Sequence, residues 1–165
     1  MNISNNGIRI LKLCEGCVVR NGRHVIYDDK NGLPVPANTS LPHGATIGYG
    51  HLIKKGEDFS KGITENTATQ LLRADLAVTE HTVNGAIKVN LNQNQFDALV
   101  MLAFNIGGNN FANSTVVKYI NNPNFHSTTY PNLASAWRAW NKTNGRTSIG
   151  LVRRRNTELN LFNEP

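Results

Sequence analysis

The chain has 165 residues, 39% of them apolar and 17% charged; that suffices for one folded domain with its own core and excludes both a disordered chain and two ordinary domains. No window reaches eighteen apolar residues, and the start of the chain, with Arg9, Lys12 and several Asn, lacks the apolar stretch and small-residue cleavage site of a secretory signal. A formal net charge of +6 biases the protein towards polyanions such as nucleic acid, acidic lipid or the bacterial wall, but the basic residues are scattered apart from Arg153 to Arg155 and no nucleic-acid motif stands out.

The first predicted element is a short helix. Ser4 can cap it, Ile8, Leu11 and Cys14 recur at helical spacing, and Gly16 can stop it. Glu15 then stands at the helix C-terminus, where unpaired carbonyls and the negative dipole end disfavour a carboxylate and hold its proton to higher pH, as a general acid requires. By itself a helix ending in Glu-Gly says little, because many surface helices do. Cys14 and Cys17 form a C-x-x-C, but at the wrong end of a helix for a redox pair. The five His at 24, 43, 51, 81 and 126 are too dispersed to complete a zinc site, so no metal is expected. Cys14 reads as a small buried apolar residue and Cys17 as an incidental thiol, with redox sensitivity the remaining possibility.

From Val18 to about Ile53 the texture changes to β-branched residues, Gly, and Pro34, Pro36 and Pro42, a pattern of short strands joined by turns. This stretch carries Tyr27-Asp28-Asp29 and Thr46-Ile47-Gly48-Tyr49-Gly50-His51. The Gly48-x-Gly50 turn is too short for a dinucleotide fingerprint. Thr64 can cap a long helix with Ala68, Leu71, Leu72, Leu76 and Val83 largely on one face. Further helices are predicted over about 92–106, 114–121, 131–141 and 148–161, punctuated by Asn109-Asn110, Asn121-Asn122-Pro123 and Asn144-Gly145. The chain therefore reads as a single α+β domain, residues 1–165, with a small β lobe over about 18–60 and a larger helical lobe over about 64–165 that also takes the N-terminal helix.

The order Glu15-Gly16, Tyr27-x-Asp29, Thr46-Ile47-Gly48-x-Gly50-His51 resembles the phage-type lysozymes of glycoside hydrolase family 24, the endolysin muramidases. The likeness continues through Asn94-Gln95-Phe96-Asp97-Ala98-Leu99, Phe104-Asn105-Ile106-Gly107, Phe111-Ala112-Asn113-Ser114-Thr115 and Trp140 to the closing Gly150-Leu151-Val152-Arg153-Arg154-Arg155 with Glu158, so it covers nearly the whole chain. The resemblance implies a lysozyme-like fold, two lobes joined by a long helix with a cleft between them.

It also implies hydrolysis of the β-1,4 bond between N-acetylmuramic acid and N-acetylglucosamine in peptidoglycan, with no cofactor. Glu15 would be the general acid, and Asp29 with Thr46 would position the attacking water in an inverting mechanism. Alternation along a strand would point Asp28 the other way. His51 is tempting as a base, but the resemblance implies that it ties the β lobe to its neighbours. Leu52, Phe104 and Ser114 would contact substrate, Asn105 would support the site, and Arg146, with Arg153 as fallback, would pair with the catalytic glutamate. A cleft position that holds Asn in some relatives falls on Ala134. Sixteen residues, Lys30 to Ala45, lie between Asp29 and Thr46 where the best-known members have only a few, and they read as an extended hairpin or loop. The expected partner is the glycan strand, acted on by a monomer without nucleic acid or stable membrane insertion. The protein would be made in the host cytoplasm and released through a separate membrane lesion. A lytic transglycosylase is the nearest alternative, although it has no need of the Asp29–Thr46 pair. A cationic wall-binding or membrane-disrupting protein is the alternative from another class.

Overall fold

Ser4 starts the first helix, α1 (Asn5–Glu15), by accepting the Gly7 N–H on its hydroxyl at 3.0 Å, and Gly16, at φ +67°, ends it. The structure, a computed structural model, describes residues 1–165 and divides into two compact units: Lys12–Ala77, and Met1–Leu11 together with Val78–Pro165. The divisions fall inside α1 and inside the long helix α2 (Glu65–Ala86), not at the ends of a β lobe.

The unit Lys12–Ala77 is built on short antiparallel strands. β1 (Val19–Arg20) and β2 (Arg23–His24) form a hairpin through Asn21 and Gly22, both at positive φ as a two-residue turn of this hand demands. β3 (Tyr27–Asp28), β4 (Leu33–Pro34), β5 (Ala45–Ile47) and β6 (His51–Leu52) form one sheet in the order β4-β3-β5-β6. The Lys30–Ala45 stretch is partly hairpin and partly loop: it supplies β4, whose Pro34 sits on the edge where a missing N–H costs no ladder bond. Ile47, Tyr49, Ile63, Ala68, Leu72 and Leu76 are buried and form the core of this unit. Gly48, at φ +64°, brings the turn so near α2 that a β-carbon there would meet Ala68 Cβ at 3.3 Å. Thr64 caps α2 by accepting the Thr67 N–H at 3.2 Å.

The other unit is helical. α3 (Gln93–Ile106) starts with a reciprocal cap between Asn92 and Gln95, and every residue from Phe96 to Ala103 is buried, as in a central core helix. A five-residue helix, α4 (Gly108–Ala112), replaces the break expected at Asn109-Asn110. Two asparagine amides stabilise it by donating back to backbone carbonyls, Asn110 to Ile106 at 2.7 Å and Asn113 to Asn109 at 2.9 Å, while Phe111 anchors it in the core. Then follow α5 (Thr115–Asn121), α6 (Leu133–Arg138), the hairpin β7 (Lys142–Thr143) with β8 (Arg146–Thr147), and α7 (Ile149–Asn163), which packs on α3 and α6. The helix expected over 131–141 is shorter, and Asn144-Gly145 closes a hairpin instead of merely separating helices, with both residues at positive φ.

The run Arg153 to Arg155 is not a surface basic cluster. Arg153 is exposed, whereas Arg154 and Arg155 are buried around the buried Glu158. Arg155 Nη2 and Arg154 Nε donate to Glu158 Oε1 at 2.8 and 3.1 Å, and Trp137 Nε1 donates to Oε2 at 2.8 Å. Arg154 also reaches the Met101 carbonyl of α3 at 3.1 Å. Two of the seventeen Lys and Arg residues thus serve the interior.

Candidate active site

β3 and β5 bring the candidate chemistry together. In their register Tyr27 stands opposite Thr46 and Asp28 opposite Ala45, and the Asp29 N–H continues the pairing to the Gly44 carbonyl at 3.3 Å. Directly opposed residues share a face and successive residues alternate. Tyr27, Thr46 and Asp29 therefore belong to one face, and Asp28 to the other. The next pair, Thr46 opposite Leu52, extends that face onto β6, where Leu52 is 56% exposed.

The side chains agree with the register. Thr46 is buried, and its hydroxyl donates to the Tyr27 carbonyl at 3.3 Å. Asp28 is engaged in the turn, its Oδ1 accepting the Lys30 N–H at 3.0 Å, while Asp29 is exposed. The Tyr27 phenol is the common neighbour of the cluster. Burial pushes its pKa up, a hydrogen bond with Thr46 opposes this, the carboxylates of Asp29 and Glu15 push it further up, and the Gly50 N–H opposes. Glu15, at the end of α1 and half-buried, thus lies within electrostatic reach of the same phenol as Asp29 and Thr46. Two carboxylates and a neutral hydroxyl within reach of one phenol are group types that glycoside hydrolysis can use.

His51, 4% exposed, faces away from this cluster. Its Nδ1 lies 2.8 Å from Asp75 Oδ2 and its Nε2 3.1 Å from Glu57 Oε2, and its ring packs edge-on against Phe59. The Lys54 N–H and then the His51 contact hold the Glu57 carboxyl below the usual carboxylate range. The imidazole joins β6 to α2 and to the loop that follows β6.

The remaining sequence-predicted residues belong to the helical unit. Phe104 is half-buried on α3. The Asn105 side-chain oxygen accepts from Arg155 Nη2 at 2.8 Å, and Asn105 lines an open pocket of about 550 Å³ with Trp140, Lys142 and Leu151. Ser114 caps α5, accepting the Val117 N–H at 3.3 Å, and lines a neighbouring pocket of about 410 Å³ with Asn109, Asn110, Asn113, Tyr130 and Trp140. Aromatic rings beside several amides and hydroxyls suit sugar, whose C–H faces stack while its hydroxyl and acetamido groups form hydrogen bonds. Arg146 is exposed on β8, opposite Thr143.

The sequence pattern of the phage lysozyme family matches residues 23–158. The chain belongs to the phage lysozyme family. Membership makes it a lysozyme-type glycoside hydrolase. It is 38% identical to the endolysin of Salmonella phage P22 over 94% of each chain, and 36% identical to the endolysin of Bacillus phage B103, of which it spans 54%. Among solved structures it is similar to the muramidase domain of SpmX from Asticaccaulis excentricus, with a TM-score of 0.73, 32% identity and 99% of both chains covered. It is also similar to a mutant of P22 lysozyme, with a TM-score of 0.72, 35% identity and 98% of both covered. These neighbours establish the α+β lysozyme-like fold.

Sequence reasoning named Tyr27 only as a landmark and passed over its hydroxyl. The signal was present: a strand residue two before an aspartate shares that aspartate's face. It also passed over a polar cluster around Glu65, because the partners come from residues 12, 24 and 49 and no short-range pattern joins them.

Proposed function

We propose that this phage lysozyme acts as an endolysin, hydrolysing the β-1,4 bond from N-acetylmuramic acid to N-acetylglucosamine in bacterial peptidoglycan and so lysing the host cell. Glu15 protonates the glycosidic oxygen, and Asp29 with Thr46 holds the water that attacks the anomeric carbon from the opposite side. The observation that carries this reading is the β3–β5 register, which puts Asp29 and Thr46 on one face and turns Asp28 away. Thr46 supplies a hydroxyl that holds water without adding a second charge, which supports inversion over a covalent glycosyl intermediate. Leu52, on the same face as Thr46, binds the glycan, as do Phe104 on α3 and Asn105 and Ser114, which line the two pockets. The enzyme works as a monomer, is made in the host cytoplasm and reaches the wall through a separate membrane lesion; no helix is long and apolar enough to cross a membrane.

Proton NMR of the first-formed anomer tests the mechanism. An initial α product from the β-linked glycan is expected, and an initial β product overturns the pairing of Asp29 with Thr46. Mass spectrometry of the digest tests the reaction class, since reducing ends mean hydrolysis, anhydro ends transglycosylation, and intact glycan binding alone.

A further inference from the structure

Glu65 is the first residue of α2, where the positive helix end favours a carboxylate, and it gathers side chains from three other places in the Lys12–Ala77 unit. Lys12 Nζ of α1 donates to Oε1 at 2.7 Å and to Thr69 Oγ1 at 2.6 Å. His24 Nε2 of β2 lies 2.7 Å from Oε2, and the Tyr49 hydroxyl is 2.9 Å from both oxygens. The partners also touch one another, with the Lys12 ammonium 5.2 Å from the Tyr49 ring centroid and the His24 ring edge-on to Tyr49 at 5.2 Å. The Glu65 side chain is 58% exposed, but those of Lys12 and His24 are only 21% and 3% exposed. The cluster is therefore more than an isolated surface ion pair, which would be worth little. Partial burial pushes the Glu65 carboxyl up, and the bonds from Lys12, His24 and Tyr49 outweigh it and hold it down to about 2.

Two of these ties lead towards the candidate site. Lys12 stands three residues before Glu15 on the same helix, so anchoring it to α2 fixes the helix end that carries the acid. Tyr49 lies between Gly48 and Gly50, at φ +64° and +89°, in the turn that joins β5, which carries Thr46, to β6. We infer that Glu65 is a positioning residue, which clamps the end of α1 and the 48–50 turn onto one carboxylate and so sets the separation between Glu15 and the Asp29–Thr46 pair without touching substrate. The inference rests on the roles proposed above for those three residues. Misplacement of reacting groups by about 1 Å costs on the order of a hundredfold in rate, so a clamp of this kind acts on kcat and leaves binding alone.

The test is steady-state kinetics of the full chain on soluble, uncross-linked glycan strands, at a temperature below the melting point of every variant. Glu65→Gln is expected to lower kcat about tenfold with KM within about twofold, the signature of lost transition-state geometry. Lys12→Met and Tyr49→Phe, which each cut one tie, should each lower kcat several-fold, and Lys12→Arg, which keeps the charge and the donors, should recover most of the loss. If Glu65→Gln does not fold, the two single-tie variants decide. Wild-type kcat in folded variants, or a rise in KM at constant kcat, overturns the inference. Glu15→Gln is measured alongside: if it is folded and active, the proposed acid is wrong; if it is inactive while Glu65→Gln matches wild type, only the positioning role falls.

Discussion

Asp28 and Asp29 are the same residue type in adjacent positions, and their surroundings separate them. The Asp28 carboxylate accepts a backbone N–H in the turn that leads to β4. An asparagine oxygen can take its place, so Asp28→Asn should keep activity within about threefold, the loss of a charge outside the reacting centre. Asp29 shares the face of Thr46, and Asp29→Asn removes the group proposed to polarise the water; a loss of about 100-fold or more in kcat is expected. Initial rates on purified peptidoglycan distinguish them, and equal losses would show that the strand register does not govern which aspartate acts. Glu15→Gln keeps shape but has no proton to give, so turnover should fall below detection while circular dichroism and melting temperature stay near wild type.

Helix α7 shows how one element carries both charge and core. Its pattern is poor for an amphipathic helix because Arg154, Arg155 and Glu158 occupy interior positions, which works only because each finds partners on α3 and α6. Burial pushes the Glu158 carboxyl up, while Arg155, the Trp137 hydrogen bond and Arg154 oppose it. Glu158→Gln would leave two guanidinium groups buried without their counter-charge, and breaking a buried pair in this way costs about 3–5 kcal/mol. Urea denaturation should show that loss in the midpoint with little change in slope. A change below about 1 kcal/mol would mean that water or local relaxation replaces the carboxylate.

Charge is distributed unevenly over the molecule. The unit made of Met1–Leu11 and Val78–Pro165 holds nine Lys and Arg against four Asp and Glu, the other unit holds eight against seven, and no acidic residue occurs between Asp97 and Glu158. Activity on whole walls should therefore fall as salt rises, because the Debye length shrinks from about 10 Å at 0.1 M to about 3 Å at 1 M. Cleavage of a short neutral chito-oligosaccharide, where it occurs, should respond much less, and equal salt responses would show that net charge does not recruit the enzyme. Acid should act on stability through Glu65 and Glu57, whose folded-state carboxyls titrate below their ordinary range, Glu65 at about 2. A depressed carboxyl contributes stability above its unfolded pKa of about 4.3, and that contribution is lost as pH falls through the folded value. Calorimetry should find a nearly constant melting temperature from neutral pH to about 5 and a decline from there towards pH 2, shallower in Glu65→Gln.

The sequence by itself determined the fold class, most helices, the family and the set of candidate groups. These are written locally: caps such as Ser4, Thr64 and Asn92, glycines where φ must be positive, and a motif that survives the long stretch between Asp29 and Thr46 because most of that stretch forms an edge strand and a loop beside the β3–β5 pairing. Tertiary structure decided what local spacing cannot encode. It opposed Tyr27 to Thr46 across nineteen residues, buried Arg154 and Arg155 against Glu158, and drew Lys12, His24 and Tyr49 onto Glu65. Whether a charged residue faces solvent, a counter-ion or a reacting bond depends on which distant segment packs against it. Helical and strand periodicity assign a residue to a face, and only the packed chain supplies what that face meets.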